Sequence, residues 1–188
     1  MKRSALFALA ILVLAACAET GGGSIVGSRG SDRLSPFYAP SLVSYEAQDG
    51  RIPLVIRGNP FAGVPQAQLE QTLHRDMRTP GWAPRAQFVR DERAENGEGL
   101  RVVVIFNPGA PVDFRAICGN LTGVGSTGPA NQSTIRMAFC DGVQTMSDVT
   151  HRTAPAPNDQ SAAFLGALNS AVARALPFVD VAQQNLGR

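Results

Sequence analysis

Leu100-Arg101-Val102-Val103-Val104-Ile105-Phe106-Asn107 is the stretch on which the reading of the fold turns. Four β-branched residues follow one another from Val102 to Ile105, and their stiff side chains suit a pleated strand. Apolar residues fall on both of its faces, so the strand is predicted to be central and covered on both sides. Asn107-Pro108-Gly109 turns the chain after it.

On the C-terminal side, Val112 to Cys118 is predicted as a further strand. Gly119 to Ser133 is rich in Gly, Ser, Thr and Asn and reads as a surface loop. It lacks the Gly-Lys-Ser/Thr ending of a phosphate loop and precedes a strand, not a helix, so no nucleotide is expected there. Ile135, Met137 and Phe139 alternate with Arg136, Ala138 and Cys140, then comes Asp141-Gly142 and a second run from Val143 to Thr150. That pattern predicts a β-hairpin. Asn158 and Asp159 are expected to cap a final helix whose stripe runs through Phe164, Leu165, Leu168, Val172, Ala175 and Leu176, stopped by Pro177.

On the N-terminal side, Asp91 to Gly99 is charged and reads as a solvated hairpin tip, preceded by a short strand within Arg85 to Arg90. Before that, Pro65 suits the first position of a helix with Leu69, Leu73 and Met77 in one row. Leu42 to Ala47 and Arg51 to Arg57 flank Asp49-Gly50 and are predicted to form another hairpin, with Pro53 at an edge or on the free side of a pair. Strands grouped between two amphipathic helices imply an α+β fold: a mostly antiparallel sheet of about five or six strands with two helices on one face.

The N-terminal segment has a different character. Lys2 and Arg3 precede an apolar run from Ala5 to Ala16, about twelve residues, which is short of the roughly twenty a membrane span needs. A basic start, a short apolar run and small residues before a cleavage point describe a secretory signal peptide. Leu14-Ala15-Ala16-Cys17 resembles the lipobox of bacterial lipoproteins. The resemblance covers about the first twenty residues. It implies removal of residues 1–16 and a diacylglyceryl thioether on Cys17, with further acylation that holds the chain on the membrane. Ala18, where such lipoproteins carry Asp for inner-membrane retention, implies the outer membrane, facing the periplasm. Residues 17–40, with Gly21-Gly22-Gly23, are expected to be a flexible tether. Residues 41–188 are expected to be a single domain.

Three cysteines are present in the 188-residue chain. With Cys17 taken by lipid, Cys118 and Cys140 are expected to pair, because an exported chain meets an oxidising compartment. Metal or redox chemistry lacks its spacing: there is no Cys-x-x-Cys and no His near either thiol in sequence. Lys2 is the only lysine. Without Lys2 and Arg3 the chain keeps 15 arginines against 15 acidic residues, a net charge near zero. No basic field remains to hold nucleic acid or to steer an anionic substrate.

Chemistry is sparse along the sequence. His74 lies at the margin of the first helical stripe, and His151 beside Arg152 at the end of the last strand. Neither belongs to a His-Glu-x-x-His pattern, and no Gly-x-Ser-x-Gly elbow is present. Asp148 is expected to face solvent or to pair with Arg136 across the hairpin at the surface. No cofactor is implied. Two functions are compatible with this pattern. One is a lipid-anchored, non-catalytic module that binds an envelope protein partner or supports an assembly. The other is a periplasmic hydrolase or small-ligand carrier, with His74, His151 and Asp148 brought together by the fold.

Overall fold

In the computed structural model, residues 32–109, 112–119 and 133–179 are described. The run at Leu100–Phe106 is a strand, β4, with partners on both sides. The other strands are β1 (Arg33–Leu34), β2 (Arg51–Arg57), β3 (Gln87–Val89), β5 (Ser133–Asp141) and β6 (Gln144–Thr153). Four helices accompany them: α1 (Pro40–Ala47), α2 (Gln66–Asp76), α3 (Glu92–Glu95) and α4 (Ala162–Ala175). The sheet order is β1-β6-β5-β4-β2-β3. β1, β6, β5 and β4 pair antiparallel, whereas β2 is parallel to both β4 and β3. The fold is α+β with a mostly antiparallel sheet.

Alternation splits β4 between two cores. Val102, Val104 and Phe106 join Ile52, Leu54 and Ile56 of β2 and Ile135, Met137 and Phe139 of β5 beneath the helices. Leu69 and Leu73 of α2, then Met77, meet them there. So do Phe164, Leu168 and Val172 of α4. The Phe61 and Phe164 rings pack edge to face at 4.9 Å between centroids, an arrangement aromatic quadrupoles favour. Both expected helices therefore lie on one face, joined by α1. The opposite set, Val103 and Ile105, packs with Val55, Ala138, Cys140, Ile117, Cys118 and Ala94 of α3.

Several local expectations are overturned. Leu42–Ala47 is helix, not the first strand of a hairpin; Pro40 starts it and Val43 and Ala47 bury one turn apart. Val112–Cys118 is no strand, because side chains of the sheet take its carbonyls. Arg136 donates to Val112 O, Thr145 Oγ1 to Phe114 O at 2.6 Å and Arg101 Nη2 to Cys118 O at 2.6 Å. Asp91–Gly99 is not a hairpin tip: β3 and β4 flank β2 and do not touch, and the segment crosses between them through α3. Asp91 caps α3, its side chain accepting from Arg93 N and Ala94 N. Of the two places expected for Pro53, the edge is excluded: it lies inside the sheet order, at a position of β2 that pairs with β3 and not with β4. It is tolerated where β2 changes partner, since pairing with β3 covers Arg51–Pro53 and pairing with β4 begins at Leu54.

The hairpin between β5 and β6 forms as expected, with Asp141 opposite Gln144 and Gly142 at φ 52° in the turn. L side chains disfavour that conformation and glycine adopts it freely. Cys118 and Cys140 form a disulfide with Cα atoms 5.6 Å apart, tying the Val112–Gly119 segment to β5. Asn158 and Asp159 do not cap α4. Ser161 does, accepting from Phe164 N at 3.3 Å. The tether expected over 17–40 gives way to the fold by Asp32: β1 pairs with β6, and Tyr38 is buried with its hydroxyl donating to Pro177 O at 2.7 Å. Residues 1–16, Cys17 and most of the Gly119–Ser133 loop lie outside the described residues. Among the described residues, no helix is long and apolar enough to cross a membrane.

Candidate functional site

The sheet separates the three residues singled out for a hidden site. His151 and Asp148 are three residues apart on β6, so their side chains leave opposite faces. His151 stands opposite Ile135, on the helix face; Asp148 stands opposite Ala138, on the other. His74 belongs to α2, beside β3, four strand positions from β6 and roughly 19 Å away along the sheet.

Each has a structural partner. Asp148 receives Arg136 Nε at 3.0 Å and Nη2 at 2.6 Å, a two-pronged pair. The side chains retain only 5% and 12% of their exposure, so this pair is buried under the Val112 segment, not at the surface as the sequence suggested. His151 Nδ1 lies 3.2 Å from Arg174 Nη1. Guanidinium only donates, so Nδ1 accepts and the proton of the neutral ring sits on Nε2. That Nε2 is buried without a hydrogen-bond partner among the described residues. Burial, and then the Arg174 charge, push the His151 pKa below its ordinary value, outweighing the opposite pull of Asp32. Arg174 also pairs with Asp32, so the three residues join the start of β1, the end of α4 and β6.

His74 Nδ1 contacts Phe88 O at 2.8 Å; a carbonyl only accepts, so Nδ1 donates. The ring thereby caps a carbonyl of the short strand β3 and faces a groove of about 850 Å³ at the C-terminal end of α2. Arg75, Arg78, Thr79, Arg85 and Gln87 also line it. No local pattern signals this groove, because its residues come from the end of α2, the segment 79–86 and the start of β3. Arg75 donates to one oxygen of its neighbour Asp76, Oδ2, from Nε at 2.9 Å and Nη2 at 2.6 Å. That hydrogen bonding holds the Asp76 carboxyl below its usual pKa, so Asp76 stays ionised. Arg78 Nη1 donates to Arg75 O and Met77 O, satisfying carbonyls that the helix end leaves open. Arg85, Thr79 and Gln87 carry no side-chain hydrogen bond or ion pair among the described residues. The groove thus presents uncommitted donors and positive charge.

Among the described residues no cluster of three or more His, Cys, Asp or Glu is placed to hold a metal ion. Compared with protein-family models, curated proteins and solved structures, the chain matches none.

Proposed function

We propose that the protein is a lipid-anchored, periplasm-facing envelope lipoprotein whose domain acts as a non-catalytic binding module. The observation that carries the binding half is the groove beside α2. Its lining offers cationic and neutral donors, a surface suited to holding a partner. His74, His151 and Asp148, the residues from which a hydrolase would have been assembled, stand apart and are each tied to a structural neighbour.

The anchoring half rests on Leu14-Ala15-Ala16-Cys17 and on the disulfide. Cys118–Cys140 suits a chain that matures in an oxidising compartment. Acyl chains on Cys17 would give lasting attachment where a single chain gives only marginal binding. The test is fractionation of cells producing the native chain or Cys17→Ser. The native protein is expected in the outer-membrane fraction, shielded from added protease until that membrane is permeabilised. Cys17→Ser is expected to remain uncut. Processing of Cys17→Ser to the native size would sink the lipoprotein reading.

A further inference from the structure

We propose that the groove at the C-terminal end of α2 binds a phosphoryl group, held between Arg78 and Arg85. The proposal rests on the binding-module reading and names the ligand chemistry of that site.

Charge supports it first. Arg75, Arg78 and Arg85 stand against the single carboxylate of Asp76, and Arg75 is committed to that carboxylate. Two guanidiniums remain, which matches a dianionic phosphoryl group better than a singly charged carboxylate. The partial negative charge of the helix end argues against an anion there. Arg78 answers it by covering two of the open carbonyls with one nitrogen, Nη1, and its Nη2 lies 3.9 Å from the nearest Asp76 oxygen. The rest of its fork can meet a ligand.

Donor geometry supports it next. A phosphoryl group offers three oxygens, each able to accept more than one bond. The Arg85 guanidinium, the Thr79 hydroxyl and the Gln87 amide are uncommitted donors around one concavity. Arginine forks match phosphate oxygens two at a time. The volume, about 850 Å³, falls in the range of small-molecule sites.

The groove borders β3, at the opposite edge of the sheet from β1, where the chain enters. Five strand spacings separate those edges, roughly 24 Å. The three free oxygens of a terminal phosphoryl group use more of these donors than the two of a diester, so a terminal phosphoryl group of a soluble molecule is the favoured occupant. A peptide added as a strand to β3 is disfavoured, because His74 already occupies the Phe88 carbonyl.

The experiment is calorimetric titration of the full chain in neutral detergent at low salt. The probes are inorganic pyrophosphate, succinate, and glycerophosphoglycerol, the diester headgroup of a deacylated phosphatidylglycerol. Pyrophosphate is expected to bind, and to weaken as salt rises. Arg85→Gln is expected to weaken it about tenfold, in line with a lost charge-assisted bond, with an unchanged urea midpoint because the Arg85 side chain has no partner among the described residues. Arg90→Gln, at an exposed arginine outside the groove, is expected to leave binding intact. Arg85-dependent binding of glycerophosphoglycerol tighter than pyrophosphate would keep the phosphoryl site and assign it to lipid headgroups. Absence of pyrophosphate and diester binding overturns the proposal, as does equal binding of succinate or an equal loss in Arg90→Gln. Such a failure alongside intact Cys17-dependent fractionation would fall on this inference alone, while failed fractionation with intact titration would fall on the anchor.

Discussion

The Thr72 hydroxyl donates to the Asp159 carboxylate at 2.5 Å, joining α2 to the turn before α4. Gln68 Nε2 adds a second bond to the same carboxylate at 3.2 Å. Both Thr72 and Asp159 are buried. Asp159 therefore holds the two principal helices together instead of capping one of them. Asp159→Ala is expected to lower stability by about 1–3 kcal/mol, since it leaves a buried hydroxyl unpaired. Asp159→Asn, which keeps an acceptor oxygen, is expected to lose less. Urea unfolding of the two variants decides this, and equal small losses would show that the bond does not hold the helices.

The α4 stripe faces the larger core, where Leu168 is fully buried. Leu168→Ala is expected to cost about 2–5 kcal/mol. Glu95 forms an ion pair with Arg57 at 2.7 Å, and both side chains keep about a third of their exposure. Glu95→Ala is expected to cost at most about 1 kcal/mol. If thermal unfolding ranked the two the other way, the placement of α4 on the sheet would be wrong.

Reduction of Cys118–Cys140 removes a crosslink closing 22 residues of sequence separation. The loss is expected to be about 3 kcal/mol on the chain-entropy account. The intact, unfolded protein should take up no alkylating reagent at Cys118 or Cys140 before reductant is added. Coincident unfolding curves with and without reductant would remove the disulfide from the stability of the fold.

Arg136 and Asp148 are buried together. Asp148→Ala is expected to cost about 3–5 kcal/mol, because it strands a buried guanidinium. Arg136→Met with Asp148→Leu is expected to recover most of that loss. A double variant as unstable as Asp148→Ala would mean that the cost lies in packing and not in the unpaired charge.

His151 carries a pH dependence whose sign follows from its surroundings. Burial and Arg174 lower its pKa in the fold. As pH falls below the ordinary imidazole value, about 6.5, the unfolded chain takes up a proton before the native state does. Native stability from this residue is thus complete above that value and declines as pH drops through the lowered one. The ionisable groups facing the ring are Arg174 and, through it, Asp32. His151→Phe is expected to flatten this part of the stability profile between neutral and mildly acid pH. An unchanged slope would assign it to other groups.

Local signals in the sequence carried the reading where pairing is local. The period of two at Ile135, Met137 and Phe139, with Gly142 after it, was enough for β5 and β6, and the β-branched run was enough for β4. The rows Leu69–Leu73–Met77 and Phe164–Leu168–Val172 placed α2 and α4. Leu42–Ala47 misled because Leu42 and Val43 sit beside Ser41 and Ser44 with little helical amphipathicity, so Pro40 was the only helix signal. The parallel pairs of β2 with β3 and β4 bring distant segments together, and no turn residue announces them. Val112–Cys118 has strand-forming residues but finds side-chain donors for its carbonyls, which only the folded sheet supplies. His74, His151 and Asp148 were expected to converge, but the spacing of three between Asp148 and His151 on β6 sends those two to opposite faces. The groove was invisible because Arg78, Arg85 and Gln87 converge only once β3 lies beside α2.

The chain enters the fold through β1, whose two residues pair with β6 and whose neighbour Asp32 is clasped by Arg174. A mechanical load arriving along the backbone ahead of Asp32 would meet these attachments first. They are few, so the strand would peel from the sheet edge while β6 kept its other partner, β5. The next resistance is Ser35, whose N–H donates to Met146 O at 2.8 Å, and then Tyr38, buried and tied to Pro177. Residues 32–37, the first six described, can therefore act as a mechanical fuse, yielding slack under tension before any force reaches the two cores.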